Sequence, residues 1–260
     1  MRAFATASVS WRTSLAILER EGAVIEPREG CLVVRTPDNP GYHWGNCLYV
    51  TTGDVDDAAG WLDVFAEEFP GAPHRAVALP RAPDRESWVR AGFGLETERI
   101  LSSRVPIVPT PPPAGYTVGP VRGDAWDGVV AAGCADGPHT EDHRVFERRR
   151  VASERRLVEA GAAEWFAVLS LDGAVVSALG IVLVGELARY QSVLTLAAHR
   201  RRGLARHLLG VASGWAFDRG ARELVIVADE GSDGDRLYRA AGFVPGAVEF
   251  SAYAPAWTPA

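Results

Sequence analysis

The chain has 260 residues, enough for one large domain or two of ordinary size and for a core that needs no metal or disulfide staple. Hydrophobic residues make up 47% and charged residues 23%, and the formal net charge of −6 argues against a whole-chain nucleic-acid binder. The three cysteines, Cys31, Cys47 and Cys134, form no C-x-x-C pair, which argues against a disulfide framework or a thiolate zinc site. Arg12, Glu19 and Arg20 interrupt the apolar stretches at the N-terminus, and no apolar run approaches the roughly 18 residues of a membrane span. The expectation is a cytoplasmic protein without a metal, nucleic-acid or membrane partner.

In chain order, the first half reads as strands at residues 31–35 and 47–51, joined by the loop TPDNPGYHWGN. A helix at 56–69, a strand at 76–79 and a helix ending in SWVRAGF at Gly92 follow. The Tyr42–His43–Trp44 loop reads either as the lining of a second pocket or as a plug. At 106–113 the chain reads PIVPTPPP, whose prolines hold an extended conformation suited to a linker. The boundary is therefore placed between a domain at 1–108 and one at 109–260.

The second half begins with a short strand at 116–118 and a helix at 124–135, with Asp124 as its cap. A long charged helix at 141–160 follows, then strands at 165–171 and 174–184 around the turn Asp172-Gly173. A third strand spans 187–196. A helix at 204–219 carries Leu204, Leu208, Val211, Trp215 and Ala216 on one face. A strand at 224–228, a helix at 235–241 ending in LYRAAGF, and a strand at 248–253 complete the chain. The mixture of strands and helices gives an α/β or α+β class. The two "aGF" helix ends, each after an apolar strand-like run and before another, suggest an internal duplication.

The segment SVLTLAAHRRRGLARHLL, residues 192–209, carries the chemistry. A strand runs through a basic, Gly-containing turn into an amphipathic helix. Free N–H groups and the positive dipole end at the start of that helix favour a pyrophosphate. Gly203 and the small Ala205 let backbone approach the phosphates, and Arg200, Arg201 and Arg202 add positive charge. The glycine-rich motifs of nucleotide hydrolases and dinucleotide-binding folds are absent.

Arg200-x-x-Gly203-x-Ala205 resembles the acetyl-CoA signature of the GCN5-related N-acetyltransferase (GNAT) superfamily, and LYRAAGF resembles its second, C-terminal landmark. The first half is similar to the degenerate N-terminal copy of tandem members. This resemblance implies a tandem GNAT fold with a mixed, mostly antiparallel central sheet flanked by helices. It implies that the strand before the loop splays from its neighbour and that acetyl-CoA lies in the gap. Backbone groups of Val193, Leu194 and Thr195 then pair with pantetheine and polarise the thioester carbonyl. Arg200, Arg201, Arg202, Gly203, Leu204, Ala205 and Arg206 hold the pyrophosphate, and Tyr238 protonates the departing thiolate. The acceptor is an amine of a small molecule that attacks the thioester directly, in a monomer or homodimer; the alternative is a non-catalytic acyl-CoA-binding module.

Three positions depart from the family pattern. Ile226 stands where a glutamate base is usual, Gly231 where an Asn is usual, and Ala197 where a proline is usual. Asp229, Glu230 and Glu186 are the remaining candidates for the base. In the first half, Asp54, Asp56 and Asp57 occupy the start of the corresponding helix, where their charge suits the dipole but repels a pyrophosphate. Only the C-terminal half is therefore expected to bind coenzyme A.

Overall fold

The computed structural model describes residues 8–111 and 114–255. The chain forms two compact units, the first holding Met1–Ile100, Ala228–Glu230 and Ala247–Ala260, the second Leu101–Val227 and Gly231–Gly246. No single cut produces this division, because Ala228–Glu230 and the stretch from Ala247 onward return to the first unit. The proline stretch read as a linker lies in the second unit; its residues 112–113, like 1–7 and 256–260 at the outer ends of the expected domains, lie outside the described residues.

The first unit contains α1 (Val9–Arg20), β1 (Val24–Arg28), β2 (Cys31–Arg35), β3 (Cys47–Val50), α2 (Ala58–Glu68), β4 (Arg75–Leu79) and α3 (Arg85–Arg90). It also takes the start of β5 (Gly94–Ser103) and most of β11 (Val244–Ala254). Its strands run in the order β1-β2-β3-β4-β11, antiparallel except for the parallel β3–β4 pair. Alternation along β2 and β3 serves two cores. Cys31, Val33, Leu48 and Val50 face Trp61, Phe65 and Trp88 of α2 and α3, whereas Leu32, Val34, Cys47 and Tyr49 face Trp11, Leu15 and Leu18 of α1.

The second unit contains β6 (Thr117–Pro120), α4 (Ala125–Asp136), α5 (Glu141–Glu159), β7 (Ala163–Leu169), β8 (Val175–Val184), β9 (Leu187–Thr195), α6 (Leu204–Asp218), β10 (Glu223–Asp229, as far as Val227) and α7 (Asp233–Ala241). The strand order is β6-β7-β8-β9-β10, antiparallel until the parallel β9–β10 pair. The mixed, mostly antiparallel sheet flanked by helices agrees with the expected class.

The successions β1-β2-β3-α2-β4-α3-β5 and β7-β8-β9-α6-β10-α7-β11 match element for element. The two "aGF" ends share a cap as well. Gly92 and Gly242 take positive φ of 85° and 108°, and Phe93 N and Phe243 N donate to Trp88 O and Tyr238 O at 3.0 and 3.1 Å. Both are Schellman caps, which require a residue without Cβ at the left-handed position.

Three local expectations change. Asp124 sits at the start of α4 but makes no side-chain cap bond. The buried stripe of α6 runs through Leu204, Leu208, Leu209, Ala212 and Ala216, while Val211 and Trp215 are only half-buried; the Arg219 guanidinium lies over the Trp215 ring, 4.4 Å from its centre. The proline stretch explains part of this shift, because it packs on α6 rather than spanning open space. Ile107 N donates to Ser213 Oγ at 2.8 Å, His207 Nδ1 donates to Thr110 O, and a Cβ on Gly210 would stand 2.3 Å from Pro109 Cα.

Candidate active site

The site begins where two strands part. β9 and β10 pair only at Leu187↔Glu223, Ala188↔Leu224 and Arg189↔Val225, although β9 continues to Thr195 and keeps its pairing with β8 to that end. From Tyr190 onward the edge of β9 that faces β10 has no strand partner among the described residues, which leaves room for a ligand to pair there.

After Thr195 the chain makes a short helical turn at Ala197–His199 and reaches Gly203, the N-cap of α6, at φ +80°. Among the described residues no side chain caps this helix, which leaves its first-turn N–H groups for a ligand. The loop is braced from several sides. The Arg200 guanidinium donates to Thr195 O at 2.9 Å and to Asp136 at 2.7 Å. The Tyr116 hydroxyl lies 3.0 Å from His199 Nδ1 and accepts from Arg202 at 3.1 Å. Arg206 donates to Ala240 O, tying the first turn of α6 to the end of α7. Arg201 takes a left-handed φ of +65° and has no ion-pair partner among the described residues.

α7 is positioned by a capping box. The Ser232 hydroxyl accepts from Asp235 N, and the Asp235 carboxylate accepts from Gly231 N, both at 3.1 Å. The helix then turns Tyr238 inward, where it is 7% exposed and packs edge-on against Phe243. Its hydroxyl has no hydrogen-bond partner among the described residues. Burial pushes the phenol up to about 12, against the pull of the Arg189 charge. A free phenol titrates near 10, and the missing solvent on this face of α7 is the cause of the rise.

These pieces line one cavity of 470 Å³. Val193, Leu194 and Thr195 supply its strand wall; Arg200, Arg201, Gly203, Leu204, Ala205 and Arg206 its loop and helix end; Tyr238 its far wall. Arg202 is the one expected contact that does not line it, because its guanidinium is turned to Tyr116 and Ala198 O. Asp136, His199, Asp233, Gly234, Arg236 and Leu237 also line it, and sequence reasoning missed them. Four arginines against two aspartates leave the wall positive, as an anionic ligand requires.

Residues 133–243 match the model of the acetyltransferase (GNAT) family. This segment is a GNAT domain. It contains all the elements that line the cavity, from the end of α4 to Phe243. Acyl transfer is the activity that membership of this family supports. No curated protein matches the chain. Among solved structures, a GCN5-related N-acetyltransferase from Kribbella flavida is similar with 18% identity and a TM-score of 0.68, over 97% of this chain and 98% of that one. A conserved protein of unknown function from Staphylococcus epidermidis has 10% identity and a TM-score of 0.66, over 91% and 95%. A tandem GNAT protein from the clavulanic acid biosynthesis pathway has 13% identity and a TM-score of 0.56, over 86% and 78%. At such identities the likeness speaks for the fold alone.

The GNAT domain leaves the base unassigned. Ile226 is 2% exposed and apolar. Glu186 sits in the turn before β9, ion-paired with Arg222, so seven residues of strand, or about 23 Å, separate it from Val193. Asp229 and Glu230 group with the first unit, where Asp229 helps raise the carboxyl of Glu96 and Glu230 is paired with Arg99. No helix among the described residues is long and apolar enough to cross a membrane.

Proposed function

We propose that the protein is an N-acetyltransferase that transfers the acetyl group of acetyl-CoA to an amine of a small molecule. The observation that supports this reading best is the meeting, in one cavity, of an open β9 edge, an uncapped helix start and a buried tyrosine without a hydrogen-bond partner. The pyrophosphate takes the N–H groups of Gly203 to Arg206, with Arg201 supplying charge. Pantetheine lies along Val193–Thr195 as a short added strand, and an N–H of that edge polarises the thioester carbonyl. The amine attacks directly: the C–N bond forms, the C–S bond breaks, and the thiolate takes the Tyr238 proton. With the phenol at about 12 and a thiol near 8.5, this transfer is uphill by about 5 kcal/mol taken alone. It is therefore coupled to collapse of the adduct rather than a separate step.

The first unit is, in this reading, a degenerate copy without a coenzyme A site. At its corresponding helix start Asp57 already caps α2 by accepting from Gly60 N, and the Asp56 carboxylate accepts from Asp84 N and Arg81. Calorimetric titration with acetyl-CoA is expected to give one site per chain, and thiol release with an amine panel should find an acceptor. Absence of acetyl-CoA binding would overturn the proposal. Binding without turnover of any amine would leave a non-catalytic acyl-CoA-binding module, which the apolar Ile226 favours.

A further inference from the structure

β9 is not a regular strand. Its register against β8 shifts between Ala178 and Gly180, and Ser192 in the bulge takes φ +50°. A side-chain-bearing residue keeps a left-handed backbone only where its surroundings hold it there. The holding group is a buried charge cluster on α5. Ser192 Oγ accepts from Arg150 at 2.6 Å and donates to Glu154 Oε1 at 2.6 Å. Arg150 also donates to Glu147 at 2.6 Å and to Glu154.

Two carboxylates therefore share one guanidinium, and both are almost wholly buried, with side chains 7% and 4% exposed. The other oxygen of Glu154, Oε2, is buried without a hydrogen-bond partner among the described residues. A carboxylate in this position is costly as an anion, and a proton relieves it. Burial raises the Glu154 carboxyl; Glu147 adds to the rise, and Arg150 and Ser192 oppose it. No charged group of α4 or β7, which also pack on α5, is among those that shift it. α4 instead presents Gly133 to Glu147, where a Cβ would stand 2.0 Å from Oε2.

Ser192 is only half-buried and immediately precedes Val193, the first residue of β9 to line the cavity. Ser192 does not itself line the cavity, and its hydroxyl links the residue beside the cavity wall to a buried carboxylate.

We propose that Glu154 is the proton acceptor of the acyl-transfer step, reached from the attacking amine through the Ser192 hydroxyl. The inference rests on the acetyl-transfer reading above. As the C–N bond forms and the C–S bond breaks, an N–H proton of the amine passes to Ser192 Oγ. The proton already on Oγ passes to Glu154 Oε1. The two transfers are concerted: Oγ gives its proton to Glu154 as it takes the amine's, so no net charge builds on Oγ. Glu154 ends neutral, the amide leaves neutral, and the thiolate takes the Tyr238 proton; Glu154 later returns its proton to solvent by the same path, and the phenolate regains one.

The test is kcat/KM against pH, with acetyl-CoA and the fastest amine of a fixed panel, for wild type, Glu154→Gln, Glu154→Asp and Ser192→Ala. Glutamine keeps an oxygen for Ser192 and Arg150 but removes the titration. Glu154→Gln is expected to lose about 10²-fold and the lower acid-side inflection, with acetyl-CoA affinity within about twofold of wild type. Glu154→Asp should restore part of the rate, and Ser192→Ala should match Glu154→Gln without adding to it. A Glu154→Gln rate within about threefold of wild type, an unchanged acid limb, or a parallel loss of acetyl-CoA affinity overturns the proposal. Should Glu154→Gln not fold, Ser192→Ala decides alone by the same criteria. Failure of the underlying reading shows separately: wild type that binds no acetyl-CoA, or acetylates no amine, overturns both.

Discussion

Replacing Gly203 with glutamate places a carboxylate at the uncapped start of α6. A Cβ on Gly203 meets nothing within 4 Å, so the change brings no clash. Its φ of +80° is strained for any other residue, at about 1–2 kcal/mol. A carboxylate at a helix N-terminus returns about 0.3–1 kcal/mol through the dipole. The net loss of stability is near 1 kcal/mol, a fall of about 2–4 °C in Tm, and the protein stays folded. Ligand binding responds differently. At about 4 Å and an effective dielectric near 20, two unit charges repel by about 4 kcal/mol. Solvent and salt at an exposed turn halve this, leaving about 2 kcal/mol, or roughly thirtyfold in Kd for acetyl-CoA. Gly203→Ala carries the same strain without the charge and should weaken binding by less than about threefold. Calorimetry on both variants at low and physiological salt separates the two effects, because only the glutamate penalty shrinks with salt. If Gly203→Glu binds acetyl-CoA within about threefold of wild type at low salt, the pyrophosphate does not sit at this helix start.

Tyr238→Phe should lower kcat by at least about tenfold with acetyl-CoA affinity unchanged, measured by steady-state kinetics and calorimetry. With the wild-type phenol near 12, no alkaline loss of kcat from Tyr238 is expected at pH 9–10; such a loss, absent in the Phe variant, would show the phenol to be less buried in function. Gly210→Ala should cost about 1–3 kcal/mol in denaturant unfolding, since its Cβ meets the Pro109 backbone rather than a movable side chain. His43 Nδ1 lies 2.6 Å from the Tyr253 hydroxyl and its ring stacks on His74, and burial with help from His74 lowers it from 6.5 to about 4. Between these values the unfolded ring takes up a proton that the folded ring refuses, so stability falls as pH falls through that window. After discounting for a half-exposed ring, the loss is roughly 1–2 kcal/mol, and His43→Gln should flatten that part of the stability profile.

The cavity wall was legible where local chemistry alone decides it. Gly203 after a strand and before an amphipathic run fixes an uncapped helix start, and the "aGF" ends fix two Schellman caps and with them the inward turn of Tyr238. Arg202 does not line the cavity, and a run of three arginines does not say which one finds a hydroxyl such as that of Tyr116, 86 positions away. α1 was missed although Trp11, Leu15 and Leu18 have helical spacing, because that stretch was read only for targeting signals. The division of the chain was not legible either. Prolines at 106–111 read as linker from their backbone chemistry, yet Gly210 and Ser213 on α6 provide the groove and the hydrogen bond that hold them. Ser192 carried no signal at all: its bulge depends on Arg150 and Glu154, about 40 residues earlier, and only the pairing register reveals it.

Entry of acetyl-CoA into the gap between β9 and β10 is checked by a crystal structure of the protein with acetyl-CoA bound. Such a structure should place the pyrophosphate on the N–H groups of Gly203 to Arg206, pantetheine along Val193–Thr195, and the thioester sulfur within hydrogen-bond reach of the Tyr238 hydroxyl. Coenzyme A bound at the start of α2 in the first unit, or with its pyrophosphate away from α6, would contradict it.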